Sequence, residues 1–443
     1  MPLRSLLHRL SLLRFLALPP RRLALPGMLA SLVVLTASTP LIAQPPGDMA
    51  SDGTVGAIAA EAVGAATGMA ADDAPPPLPR LEYLGQQIVP AGTPALGTRF
   101  GGISGLDYDP ASGLFWAISD DRGRFAPPRA YRLALDLKRF TRSNDAGFDG
   151  VVIDRAVTLR RSDGSPFPSG TLDAEAIRVT PEGRLIWSSE GSRGLLGDQN
   201  PQLTEMRVDG RFVRSYRVPA HYLPAPQRGV RDNRGFESLT LTPSGKTVWV
   251  ATENALLQDG EAATTSAGSD SRFLSFERRS GRAGREYIYR TDPVMAAPLL
   301  PGLPAINGLA DILALDDKRF LTLERSFSVG PGMKVRLYLA SLDGASDVSQ
   351  HSAIAGTPGI RPMAKTLLLE LGSVRNADGT RLMVDNLEAL TLGPPIDGTP
   401  TLILASDDNF SSMQVTQFIA FKLHGLEAMV APRQIRHQSQ PAR

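Results

Sequence analysis

NRGFESLTLTPSGKTVWVATENA, Asn233 to Ala255, alternates apolar and polar residues on both sides of a Pro-Ser-Gly turn, with Glu237 at the head of its first half and Glu253 at the foot of its second. A period of two puts alternate side chains on opposite faces of a strand, and turn residues between two such runs make a hairpin. A looser pair follows, RFLSFERRSG and REYIYRTD, so the unit reads as a four-stranded antiparallel meander. The same unit recurs as GISGLDYDPASGLFWAISDD (Gly102–Asp121), DAEAIRVTPEGRLIWSSEG (Asp173–Gly191), GLADILALDDKRFLTLER (Gly308–Arg325) and NLEALTLGPPIDGTPTLILASDD (Asn386–Asp408). Five copies spaced by roughly 60 to 80 residues suit propeller blades with long loops.

Third strands follow in every copy: AYRLALDL, QLTEMRVDG, RFLSFERRSG, VRLYLASLDG and QFIAFKLHG. Fourth strands follow in four of them: FDGVVIDRAVTL, FVRSYRVP, REYIYRTD and KTLLLELG. The last copy ends near Gly425 without one, while LEYLGQQIVP (Leu81–Pro90) stands alone at the start of the body. Pairing the two closes the ring and removes exposed sheet edges. The expected fold is therefore all-β, a β-propeller of four-stranded blades closed by an N-terminal strand. Five blades are favoured, six if one interval hides a degenerate copy.

The 443 residues are 42% hydrophobic and 21% charged, ample for a large core. Residues 1–43 contain Arg4, Arg9, Arg14, Arg21 and Arg22, no acid, and the apolar run LALPGMLASLVVLTAS (Leu23–Ser38) followed by small residues. That order reads as a signal peptide, with an uncleaved membrane anchor as the alternative, and either reading puts the body outside the cytoplasm, periplasmic or secreted. Removing these five arginines from 47 basic residues leaves 42 against 45 acidic, a near-neutral balance that does not recommend nucleic acid as a partner. Residues 44–80, rich in Ala, Gly and Pro, read as a flexible linker. Residues 81–425 are the propeller and 426–443 a C-terminal tail. A monomer is expected, with no stable membrane insertion once the signal is removed.

Cysteine is absent, which excludes disulfides, thiolate metal sites and cysteine nucleophiles. No G-x-S-x-G elbow occurs, since Ser104 in GGISGLDY lacks the spacing. TPSGKT (Thr242–Thr247) lacks the first glycine of a phosphate loop and reads as a hairpin turn. His221, His351, His424 and His437 form no motif, so zinc chemistry has little support. Trp116, Trp187 and Trp249, at like places in second strands, read as packing between blades.

Acids recur at matched positions. Glu175, Glu237, Asp311 and Glu388 stand at or before the start of a first strand, with Gly105 the departure in the first copy. Asp120 with Asp121, Glu190, Glu253, Glu324, and Asp407 with Asp408 stand at the end of a second strand. First and second strands meet at one end of a propeller, so these carboxylates should gather around one funnel. Like charges so placed raise one another's pKa unless cations neutralise them, and an oxygen-only set suits calcium. The bland alternative is turn capping or pairing with Arg122, Arg193, Arg234 or Arg325.

The motifs DAEAI, NRGFESL and DNLEAL, with GISGLDYDP leading into FWAISDDRG and the late ASDDNF, resemble the phytase-like domain of bacterial secreted proteins, described by the esterase-like activity of phytase. The resemblance covers roughly Leu81 to Gly425. It implies a calcium-associated propeller hydrolase acting on phosphate or other esters, with the acidic motif positions as candidate ligands. On that reading Arg122, Arg193 and Arg325 would orient a small anionic ester substrate through bidentate contacts. The alternatives are a non-catalytic binding propeller of the cell envelope, with calcium structural, and a propeller lactonase or esterase.

Overall fold

The computed structural model describes residues 78–194 and 197–426, so the signal or anchor segment, all but the end of the linker, and the tail beyond Leu426 lie outside the described residues. The five repeats form five antiparallel sheets of four strands each. Blade one is built of Ile103–Asp109, Leu114–Ser119, Arg129–Leu135 and Val151–Thr158, and blade two of Ala174–Val179, Leu185–Ser189, Gln202–Met206 and Phe212–Ser215. Blade three runs Phe236–Leu241, Thr247–Thr252, Asp270–Glu277 and Ala283–Arg290, and blade four Ala305–Ala314, Arg319–Ser328, Gly332–Ser341 and Ala364–Glu370. Blade five takes Asn386–Ile396, Thr399–Asp407 and Val415–His424 from the C-terminal end and Arg80–Pro90 from the N-terminal end. Among the described residues helix is confined to three-residue turns, and no helix there is long and apolar enough to cross a membrane.

The closing strand pairs from Arg80 with His424 to Pro90 with Val415, with one irregularity at Gly85. A side chain at Gly85 would run into the backbone of Phe140 and Thr141, and its φ of 146° is one that other residues rarely adopt, so only glycine fits there. The first strand of each blade packs beside the first strands of both neighbours, which makes the ring.

The apolar cores lie between blades. Trp116, Ile118 and Ala130 of blade one meet Ala174, Ile177 and Trp187 of blade two, and Trp249, Phe273 and Tyr289 of blade three meet Leu309, Ile312 and Phe320 of blade four. Burying each such side chain contributes roughly 1.5–3 kcal/mol, and the ring needs all five contacts to bury both faces of every sheet. The three tryptophans pack between blades as expected, but not in phase. Trp116 pairs across from Asp107 and Trp249 across from Thr240, whereas Trp187 sits opposite Ile177, one residue nearer the strand end, and therefore faces the preceding blade.

Midway down the ring the channel is spanned by a salt bridge. Arg178 of blade two is fully buried and donates to both carboxylate oxygens of Asp311 in blade four, at 2.9 and 3.0 Å. It also donates to the carbonyls of Leu106, Ile312 and Leu390, at 2.8, 3.0 and 3.2 Å, so one guanidinium ties the inner strands of blades one, two, four and five. Asp311 further accepts from the amides of Ile312 and Leu390. Burial pushes its carboxyl up to about 6, and Arg178 with those amides keeps it from rising further. The funnel above this plug opens at one mouth.

Candidate metal centre

Where first and second strands meet, every blade repeats one local geometry. The pairs that border a break in register are Ile103 with Ser119, Ala174 with Ser189, Phe236 with Thr252, Leu309 with Glu324, and Leu387 with Ser406. Immediately afterwards each first strand bulges. A bulge re-aims the extra side chain, and here the residues next to the anchors are Ser104, Glu175, Glu237, Ala310 and Glu388. On the second strands, the residues just past the anchors are Asp120, Glu190, Glu253, Arg325 and Asp407. The residues just before the first-strand anchors are Gly102, Asp173, Gly235, Gly308 and Asn386.

This register answers why acids recur, and it shifts three assignments. The blade-one partner of Glu237 is Ser104 and not Gly105. In blade four the matching positions are Ala310 and Arg325, one residue away from Asp311 and Glu324. Asp311 thereby falls into the channel plug. Glu324 turns to the other side of its strand, where it accepts from Tyr289 Oη, Asn307 Nδ2, the Asp292 amide and Lys365 Nζ at 2.5–2.9 Å. Of the other expected ligands, Asp121 is taken by the amides of Phe125 and Ala126 and by Arg129, as a loop anchor. Asp408 accepts from the amides of Gly102 and Phe410, leaving its second oxygen at the mouth without a partner among the described residues.

Glu175, Glu190, Glu237, Glu253, Glu388 and Asp407 are buried and close around the mouth, with Asp120 beside them. Asp173, the residue that opens DAEAI, joins them although the repeat pattern did not single it out; the signal was its match to Asn386 in DNLEAL. One oxygen each of Asp173, Glu175 and Glu190 lie within 4.8 Å of one another. Small residues make this crowding feasible. A side chain at Gly308 would strike the Glu253 carboxylate, and one at Gly235 the backbone of Glu190.

Burial, then the neighbouring carboxylates, hold Asp120, Glu175, Glu190, Glu237 and Asp407 well above the usual carboxylate range. Asp173 and Glu388 are raised by burial too, tempered by Arg122 and Arg325 respectively. Glu237 Oε2, Asp120 Oδ1 and the Ser104 hydroxyl are buried with no hydrogen-bond partner among the described residues. Orphaned buried oxygens are costly, and an all-oxygen donor set with unspent acceptors fits a hard divalent cation.

The three expected substrate arginines are differently employed. Arg325 is buried between Glu253, Glu388 and Glu237, its Nη2 at 3.3, 3.4 and 3.7 Å from their oxygens. Burial alone would lower its guanidinium, but these carboxylates outweigh that and raise it. Arg193 donates to the carbonyls of Val230, Ala225 and Arg228 and braces that loop. Arg122 lies at the rim, its side chain 43% exposed, where it meets Asp173 and Asn233. Arg99 stacks on Phe125 at 4.5 Å and approaches Phe410 at 5.8 Å.

Residues 98–410 match the phytase-like family, characterised by the esterase-like activity of phytase. The chain belongs to that family. The match takes in all five first strands and every acid of the mouth. No curated protein sequence matches the chain. Among solved structures, the Dos1 propeller is similar at 8% identity over 72% of this chain and 66% of its own, just under two thirds, with a TM-score of 0.31. A periplasmic gluconolactonase of Pseudomonas aeruginosa is similar at 12% identity over 77% of this chain and 96% of its own (TM-score 0.31), and an α-L-arabinanase of Penicillium chrysogenum at 12% over 74% and 80% (TM-score 0.37). The five-bladed fold of this family member rests on its own strand order.

Proposed function

We propose that this phytase-like protein is an exported, monomeric hydrolase of phosphate or other small anionic esters, and that the mouth of the propeller binds calcium. The observation that carries the reading is the buried convergence of Asp173, Glu175 and Glu190, one oxygen from each within 4.8 Å of the others, on a family scaffold. Those three residues would hold the ion, with Asp120 and Glu237 contributing their unpartnered oxygens. Bound calcium would supply charge neutralisation of the ester oxygens and a lowered pKa for an adjacent water.

The chain's own groups have separable tasks. Arg122 is the rim cation with solvent-facing surface, suited to grip an anionic ester while its other edge holds Asp173. Glu190 and Glu237 are adjacent, and burial followed by neighbouring carboxylates raises both above the usual carboxylate range, which suits them to proton transfer at the mouth. The buried Arg178–Asp311 pair lies across the ring at mid-depth, so on this reading substrate and product would share the acidic mouth. A binding propeller with structural calcium is the second reading, favoured by the depth of the acids: Glu237 is only 5% exposed.

The test is calorimetric titration of the exported protein with calcium, alongside turnover of an aryl phosphate, an aryl carboxylic ester and a lactone. Calcium binding with calcium-dependent turnover of one of these supports the hydrolase. Binding without turnover of any supports the binding propeller, and absence of calcium binding removes the metal from both readings.

A further inference from the structure

The five blades are unequal at the mouth. Each of the other four contributes at least one carboxylate to the two matched positions, whereas blade four contributes Ala310 and Arg325. Arg325 reaches one oxygen each of Glu253, Glu388 and Glu237, from blades three and five, within 3.7 Å. Across the ring, Asp173, Glu175 and Glu190 have only the rim residue Arg122 as a nearby cation among the described residues, and its contact is with Asp173. Beside Asp173 lies Asp120 of blade one, whose Oδ1 is buried with no hydrogen-bond partner among the described residues, as is Glu237 Oε2, the oxygen not in the Arg325 ion pair.

We propose that Arg325 is a tethered cation that occupies one cation position of the ring permanently, so that a divalent cation is held off-centre, on the blade-two side, by Asp173, Glu175 and Glu190. The inference rests on the calcium-binding reading above and refines it. The guanidinium repels a second cation from its own half of the mouth and neutralises the carboxylates there, while leaving the opposite half with surplus negative charge. Arg325 is thus a positioning residue: it limits the number of ions and fixes which side of the mouth presents one to a ligand.

Calorimetry with calcium chloride on the wild type and on Asp173→Asn, Glu175→Gln, Glu388→Gln and Arg325→Gln tests this directly. Asp173→Asn and Glu175→Gln should each weaken calcium binding roughly 100-fold, as expected for loss of a buried charged partner, and Glu388→Gln by less than about 5-fold. Arg325→Gln frees Glu237, Glu253 and Glu388, and should raise the number of calcium ions bound by one. If Arg325→Gln does not fold, the contrast between the blade-two variants and Glu388→Gln decides alone. Equal losses in Glu388→Gln and Glu175→Gln, or an unchanged ion count in folded Arg325→Gln, would overturn the off-centre site while leaving calcium binding intact. A wild type that binds no calcium would overturn the underlying reading as well, so the two failures are distinguishable.

Discussion

Asp311 and Glu237 are buried carboxylates on the inner strands of neighbouring blades, one a residue out of register with the other, and their surroundings are opposite. Asp311 sits at mid-channel with Arg178 on both oxygens and two amides on its flanks. Glu237 sits at the mouth among Glu190, Glu253 and Glu388, with one oxygen unpartnered and Arg325 shared three ways. In the first arrangement the carboxylate is fully compensated, both oxygens partnered, and the pair ties the inner strands together. The second is incomplete without a further cation, and incompleteness of this kind is what a binding site requires.

The largest expected effect comes from breaking the complete partner. Asp311→Asn leaves Arg178 charged and buried, and should cost about 3–5 kcal/mol of stability by denaturant unfolding. Calcium affinity of the folded variant should stay within about 3-fold of wild type, since sites this separate are nearly additive. A large loss of calcium affinity in that variant would join plug and mouth into one unit and break the comparison.

Removing calcium should act only on the incomplete partner. At a free concentration of about 100 times its Kd, calcium should stabilise the wild type by about 2.7 kcal/mol, read as a rise in melting temperature that chelator reverses. Glu237→Gln should shrink that rise, and a full rise in the variant would return Glu237 to a turn-capping role. Gly308→Ala presses a methyl group into the Glu253 carboxylate and should cost about 1–3 kcal/mol by thermal unfolding. A silent Gly308→Ala would mean that the mouth is slack.

The last effect concerns pH, and it is the smallest for any one group over one pH unit. The mouth acids have folded-state pKa values above their ordinary ones, because of burial and then mutual repulsion, so the folded chain keeps protons that the unfolded chain has released. Calcium-free protein should therefore lose stability as pH rises above the ordinary carboxylate range near about 4, by at most about 1.4 kcal/mol per pH unit for each retained proton. Saturating calcium should flatten that slope, because it replaces the protons. A calcium-free protein that gains stability over the same interval would contradict the repulsive mouth.

Much of this was legible in the chain itself. Period-two runs between turn residues repeat five times, and the one copy short of a strand and the one strand without a blade imply each other. The acid motifs were visible too, because strand ends have few neighbours in sequence and a repeated residue type stands out. What misled was register. A bulge adds a residue to one strand of a pair and not to its partner, so counting letters from the motif places Gly105, Asp311 and Glu324 where Ser104, Ala310 and Arg325 belong.

Sequence by itself determined the fold class, the ring closure and the acidic character of one mouth, and favoured five blades over six, since all of these follow from local periodicity and from the requirement that edges and apolar faces be covered; the strand order fixed the count at five. Tertiary structure decided which acids are spent and which are free. Arg178 meets Asp311 from two blades away, Arg325 reaches carboxylates on both of its neighbours, and Asp173 becomes part of the mouth only when blade two stands beside blade one. Charge compensation is a property of distances of a few ångströms between residues that lie on different blades and far apart along the chain, and no pattern along the chain encodes those distances.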